Sequence, residues 1–249
     1  MDINKQDTCL YEPNYLDKKY THHYFLKKIK NINNPLILEL GVNQGGSTVS
    51  FLKHINEHGG KLYSVDINDF SNISENENFK NVSTEKWNFI NSNDLDVDNI
   101  LKKFPILKRG IDLLFIDSYH DESHVTKILE KWYIHVNKFG YIFFDDTESY
   151  MYKKNKNFTL SVNNDAIDNL VKNFYYQNYD QLVLTKYFAG SGMSELFKTS
   201  ELGTEANFSL KIWNYNYFIG KFYLYVKKIF YILKQKDKEK PDTKKLINF

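Results

Sequence analysis

The chain has 249 residues, of which 42% are hydrophobic and 16% aromatic, and a formal net charge of +2. That is enough apolar material for one large domain with appendages, and so nearly neutral a balance gives no electrostatic footprint for nucleic acid. One cysteine, Cys9, excludes an intrachain disulfide framework and fits a reducing compartment; with a polar opening, Met1 to Asp7, and no apolar run of the ~18–20 residues a membrane helix needs, a cytoplasmic location is expected.

Tyr20, Tyr24, Phe25 and Ile29 recur at helical spacing and predict a helix over 15–29, a segment that covers a cofactor or makes subunit contacts in a homo-oligomer. After Pro35, Leu36 to Leu40 reads as a short strand, and Gly41-Val42-Asn43-Gln44-Gly45-Gly46 as a loop needing backbone freedom. Ser47 or Thr48 is expected to cap a helix running to about His58. Lys61 to Val65 is a second strand stopping on Asp66, and Trp87 to Ile90 a third, followed by a short helix over Val97 to Phe104. Ile111 to Ile116, a helix over Glu122 to Val136, and Tyr141 to Phe144 continue the alternation. Alternating strands and helices predict an α/β fold, a mostly parallel sheet with helices on both faces. Asn164 to Phe174 is helical, and Gln181 to Phe188 with Met193 to Lys198 form an antiparallel hairpin around Gly190-Ser191-Gly192. The domain reading is an N-terminal helical segment 1–34, a central domain 35–200, and an aromatic and basic extension 201–249.

Two features carry chemistry. The first is the glycine loop after Glu39-Leu40, with Asp66 ending the next strand, where a carboxylate is placed to accept ribose hydroxyls. It is neither a dinucleotide fingerprint, because Asn43 stands at the second glycine position, nor a P-loop, because the lysine is missing. The bland alternative is a tight turn with no ligand. The second feature is a pair of apolar strands that both end in acid: Asp117-Ser118-Tyr119-His120 and Asp145-Asp146. Carboxylates crowded at one rim repel unless a cation or protons intervene, and all-oxygen ligation favours Mg²⁺, Mn²⁺ or Ca²⁺. The bland alternatives are that Asp117 caps the following helix, that Asp145 is a turn residue and that His120 is a solvated loop histidine, with His124 a helix-face alternative. His22, His23, His54, His58 and His135 show no constellation.

The Glu39-Leu40-Gly41 loop together with Asp66 resembles the class I S-adenosylmethionine-dependent methyltransferases over about residues 35–198. The resemblance implies a Rossmann-like seven-stranded sheet whose loop, through Gly41, Gly45 and Ser47, cradles the methionine part of the cofactor. Glu39 supports the loop or meets the amino group, Asp66 holds the ribose, and Ser92-Asn93-Asp94 lies near the adenine. Asp117-x-x-His120 with Asp145-Asp146 is similar to the metal-dependent sugar and macrolide-sugar O-methyltransferases near the cephalosporin-hydroxylase-like group. That similarity implies Mg²⁺ (or Mn²⁺) on Asp117, Asp145 and Asp146, Asp117 also beside the cofactor, and His120 as general base. The acceptor it implies is the hydroxyl of a nucleotide-activated or glycan-precursor sugar. A catechol-type small-molecule O-methyltransferase and a catalytically silent S-adenosylmethionine-binding protein are the alternatives.

Phe218, Phe222, Tyr225, Ile229 and Leu233 fall at helical spacing among lysines. Packing on this chain or another subunit, a membrane-surface helix and a nucleic-acid patch are the three readings, in that order.

Overall fold

The computed structural model describes residues 24–208, except 71, 73–78 and 81, together with positions 222, 225–227, 229 and 230. The chain divides into two units, residues 1–210 and 211–249. In the first unit, helix α1 (24–29) is followed by strand β1 (Leu36–Leu40), α2 (Gly46–His58), β2 (Lys61–Asp66), β3 (Trp87–Asn91), α3 (Val97–Lys103) and β4 (Ile111–Ile116). Then come α4 (Glu122–Trp132), β5 (Val136–Asp145), α5 (Tyr150–Lys154), α6 (Phe158–Gln177), β6 (Leu182–Tyr187) and β7 (Met193–Lys198).

The seven strands form one sheet in the order β3-β2-β1-β4-β5-β7-β6. β1 to β5 pair in parallel, and β7 runs antiparallel to both β5 and β6. This is the expected Rossmann-like sheet with a terminal antiparallel hairpin. The chain winds outward from β1 to β3, then returns to place β4 on the other side of β1. The carboxyl ends of β1 and β4 are therefore the switch point at which open α/β sheets bind ligands.

Period-two alternation along the strands supplies two cores. Leu38, Leu40, Leu114, Ile116, Ile142 and Phe144 pack with α3, α4 and α6 through Ile100, Val125, Leu129, Trp132, Val171 and Phe174. Ile37, Leu62, Leu113, Phe115 and Phe143 pack with α1 and α2 through Phe25, Ile29, Val49, Phe51, Leu52 and Ile55. Phe25 stacks on Phe51 at 4.5 Å and meets Phe115 and Phe143 edge-on at 5.2 and 6.1 Å. Lys28 on the same helix reaches the buried Glu195 of β7 at 3.0 Å.

Several boundaries differ from the sequence-based expectation. β5 begins at Val136 rather than Tyr141: Phe139 takes a left-handed backbone (φ 65°), and a register shift between Ile111 and Leu113 absorbs the irregular stretch. The helix expected to reach Val136 ends at Trp132 and tightens into a 3-10 turn over Tyr133–His135. α6 starts at Phe158 rather than Asn164, because the Asn157 side chain accepts the Leu160 N–H at 3.2 Å as an N-cap. Of the expected helix 15–29, only the portion from residue 24 is described. Of the second unit, positions 222, 225–227, 229 and 230 are helical, whereas Phe218 and Leu233 lie outside the described residues. Among the described residues no helix is long and apolar enough to cross a membrane.

Candidate active site

The carboxyl ends of the central strands open into a cavity of about 700 Å³. It is lined by Gly41 and Asn43 after β1, Asp66 to Asn68 and Phe70 after β2, and Ser92 to Asp94 after β3. Asp117 to His120 and His124 line it after β4, and Asp146 after β5. A volume of this size suits a ligand of cofactor dimensions.

At the floor, β1 and β4 converge so closely that Gly41 (φ 93°) has no room for a side chain: a Cβ there would collide with the Asp117 carbonyl. Asp66 holds the loop from the other side. Its Oδ2 accepts the Val42 N–H at 2.8 Å, and its Oδ1 accepts the Asn68 N–H at 2.9 Å.

Glu39, Gly45 and Ser47 stand behind this wall rather than in it. Glu39 is fully buried, and its carboxylate accepts from Ser47 Oγ at 2.5 Å, Thr48 Oγ1 at 2.8 Å and Ser64 Oγ at 2.5 Å. These bonds tie β1 to the first turn of α2 and to β2. Ser47 and Thr48 therefore do not cap α2: its N-cap is Gly45 in the left-handed conformation, with no side-chain cap. Burial pushes the Glu39 carboxyl up to about 7, against the opposing effect of the three donated hydrogen bonds.

His120 is the meeting point of the two acid-ended strands. Its Nε2 lies 3.7 Å from Asp117 Oδ1 and 3.8 Å from Asp146 Oδ2. Asp117 does not cap the next helix. Asp121 does, accepting the His124 N–H at 3.0 Å, so Asp117 is left for the cavity. Asp146 reaches the cavity through a left-handed backbone (φ 55°) just beyond the end of β5. Asp145 is 4% exposed, accepts the Asp146 N–H at 2.9 Å, and is not among the residues that line the cavity. Of the pair, Asp145 stays paired in the sheet opposite Met193, and the left-handed residue Asp146 lines the cavity. Among the described residues no group of three or more His, Cys, Asp or Glu side chains is gathered to hold a metal. Two convergent carboxylates nonetheless fit Mg²⁺, which takes one or two and completes its shell with water and substrate oxygens.

A second pair was not singled out in the sequence. His124 Nε2 lies 3.0 Å from Asp94 Oδ2, and both residues line the cavity beside Ser92 and Asn93. Trp132 Nε1 donates to the Asp94 carbonyl at 2.8 Å and Lys131 Nζ to the Leu95 carbonyl at 2.8 Å. α4, which follows Asp117-x-x-His120, is thus tied to the loop after β3. The partners are thirty positions apart and belong to different strand–helix units, so no local spacing reveals them.

Residues 38–147 match a family model described as a methyltransferase domain. An uncharacterized protein of Acanthamoeba polyphaga mimivirus is 32% identical over 143 residues, a match covering 53% of this chain and 61% of that protein. The chain thus spans less than two thirds of that relative's length. In structure, the chain is similar to a putative caffeoyl-CoA O-methyltransferase from Staphylococcus aureus, with TM-score 0.57 and 14% identity over 78% of this chain and 87% of that one. It is likewise similar to the methyltransferase PaMTH1 of Podospora anserina bound to S-adenosylhomocysteine, with TM-score 0.56 and 13% identity over 73% of this chain and 79% of that one. At these identities the structural likeness is one of fold.

Proposed function

We propose, from the match of residues 38–147 to a methyltransferase-domain model and the likeness of the fold to solved methyltransferases, that this chain transfers the methyl group of S-adenosylmethionine to a hydroxyl oxygen of a sugar. The observation that carries the reading is the position of His120. Its Nε2 is held within 3.8 Å of both Asp117 and Asp146, in the cavity that Gly41 and Asp66 also line.

In this reading Gly41 lets the methionine end of the donor approach the β1–β4 crossing, Asp66 accepts its ribose hydroxyls, and the donor supplies an electrophilic sulfonium methyl. The acceptor hydroxyl lies against the other end of the cavity, where His120 takes its proton at Nε2. General-base action of this kind contributes about 10²–10⁴-fold. Asp117 and Asp146, 3.7 and 3.8 Å from Nε2, stabilise the charge the imidazole gains. They are also the residues that would hold Mg²⁺, whose chemistry is to polarise the acceptor oxygens and lower the hydroxyl pKa. Fixing donor and acceptor in line supplies much of the remaining acceleration.

A vicinal diol suits such a site because it offers two oxygens to one rim. Ser118 Oγ, buried and without a hydrogen-bond partner among the described residues, adds a polar group at the same place.

The test incubates the protein with labelled S-adenosylmethionine and a panel of nucleotide-sugars, free sugars and catechols, in Mg²⁺ or in excess chelator. The expected result is label on a sugar hydroxyl, lost in chelator, and lowered about 10²–10⁴-fold by His120→Ala with donor binding intact. Label on the catechols alone would refute the sugar acceptor. Full activity of His120→Ala in chelator would refute the mechanism.

A further inference from the structure

We infer that the β6–β7 hairpin is a positioning device for Asp146, and that Thr147 and Ser194 are its positioning residues. The inference rests on the reading of Asp146 as a residue of the metal and base site. A non-glycine residue at positive φ persists where its surroundings hold it there. Asp146, at φ 55°, is held from both sides by the same hairpin. Upstream, Asp145 is paired in the sheet opposite Met193. Downstream, the Thr147 N–H donates to the Gly192 carbonyl at 3.3 Å, and the Glu148 N–H to the Ser191 carbonyl at 2.7 Å.

A side-chain bond closes the bracket: Ser194 Oγ donates to Thr147 Oγ1 at 2.9 Å, with both residues about 1% exposed. The turn itself is shaped for the task. Gly192 has φ 75°, its N–H returns to the Ala189 carbonyl at 2.9 Å, and a Cβ on it would strike the Glu148 side chain and backbone. Glu148 is fixed in turn, because Asn164 Nδ2 donates to its carbonyl at 3.0 Å and its carboxylate lies 3.9 Å from Lys186 Nζ. None of these groups lines the cavity. They act only by fixing the backbone that aims the Asp146 carboxylate at His120.

The test is a Mn²⁺ titration followed by electron paramagnetic resonance in saturating S-adenosylhomocysteine, with calorimetric S-adenosylhomocysteine binding and a melting curve for each protein. The proteins are wild type, Thr147→Val, Thr147→Ser, the double variant Thr147→Val/Ser194→Ala, and Asp146→Asn. Thr147→Val keeps the shape and removes the hydroxyl. The double variant leaves no unpaired hydroxyl and guards against misfolding.

Removing a partner that orients a metal ligand typically costs 10–100-fold in metal affinity. The expected result is about tenfold weaker Mn²⁺ binding in Thr147→Val and in the double variant. Thr147→Ser should recover most of the affinity, and S-adenosylhomocysteine affinity should be unchanged throughout. If Asp146→Asn weakens Mn²⁺ binding while Thr147→Val and the double variant do not, the positioning role is overturned and the site reading survives. If Asp146→Asn leaves Mn²⁺ binding unchanged, the site reading fails and the inference falls with it. A parallel loss of S-adenosylhomocysteine binding in the hydroxyl variants overturns the inference in favour of a merely structural bond.

Discussion

Glu39 shows how one residue's role changes between sequence and structure. In the sequence it is an acid beside a glycine loop, as able to face a ligand as to face the core. In the structure it is fully buried and shared by three hydroxyls on α2 and β2. Its carboxyl rises from 4.5 to about 7 through burial. A folded-state pKa above the unfolded value means a stabilising contribution complete below pH 4.5 and lost as the pH rises through about 7. The size of that loss is on the order of 3 kcal/mol. Glu39→Gln, which cannot titrate, should therefore gain on wild type by roughly that amount between pH 4.5 and 7.5 in urea denaturation. A stability gap constant across that range would show that Glu39 ionises freely in place. The Asp145-Asp146 pair makes a related point. Two adjacent acids at a strand end read as two ligands, yet the strand delivers only Asp146 to the cavity, and does so through a left-handed backbone that no side-chain pattern announces.

At the scale of elements, the strands were legible because each is a short run with apolar residues, bounded by turn or polar residues. Leu36–Leu40, Ile111–Ile116 and Met193–Lys198 end where the apolar pattern ends. What was lost lies where the backbone leaves regular geometry. The start of β5 runs through Lys138, Phe139 and Gly140, which look like a loop, and the register with β4 passes over them from Ile111–Val136 to Leu113–Tyr141. The start of α6, Phe158-Thr159-Leu160-Ser161-Val162, alternates apolar and polar residues instead of following a helical period, and its apolar side chains are exposed. α1 gives the element-scale prediction. Phe25 is fully buried against Phe51, Phe115 and Phe143, so Phe25→Ala removes the anchor of the helix that covers this face of the sheet. A loss of about 3–5 kcal/mol is expected in equilibrium denaturation. A loss under about 1 kcal/mol would mean that the neighbouring rings close over the gap and that α1 is not needed to complete that core.

At the scale of the whole molecule, the strand order determines which residues can act together. Because β4 returns beside β1, the loop after β1, the acid after β2 and the two acid-ended strands open on one cavity. Asp66, the Asp117–His120 turn and Asp146 come from three separate strand–helix units, and only the parallel sheet's common rim unites them. The alternation of strands and helices made that rim foreseeable. The Asp94–His124 pair and the hairpin bracket around Asp146 were not, since both depend on contacts between distant segments. In the proposed function, this cavity binds S-adenosylmethionine through the β1 and β2 ends, and the chemistry takes place at the β4 and β5 ends. Calorimetric titration of S-adenosylmethionine into wild type, Asp66→Ala and His120→Ala tests that division most directly. The expected result is one equivalent bound by wild type, at least about tenfold weaker binding by Asp66→Ala, equal to a loss of about 1.4 kcal/mol, and unchanged affinity in His120→Ala. No binding by wild type, or Asp66→Ala binding as tightly as wild type, would contradict it.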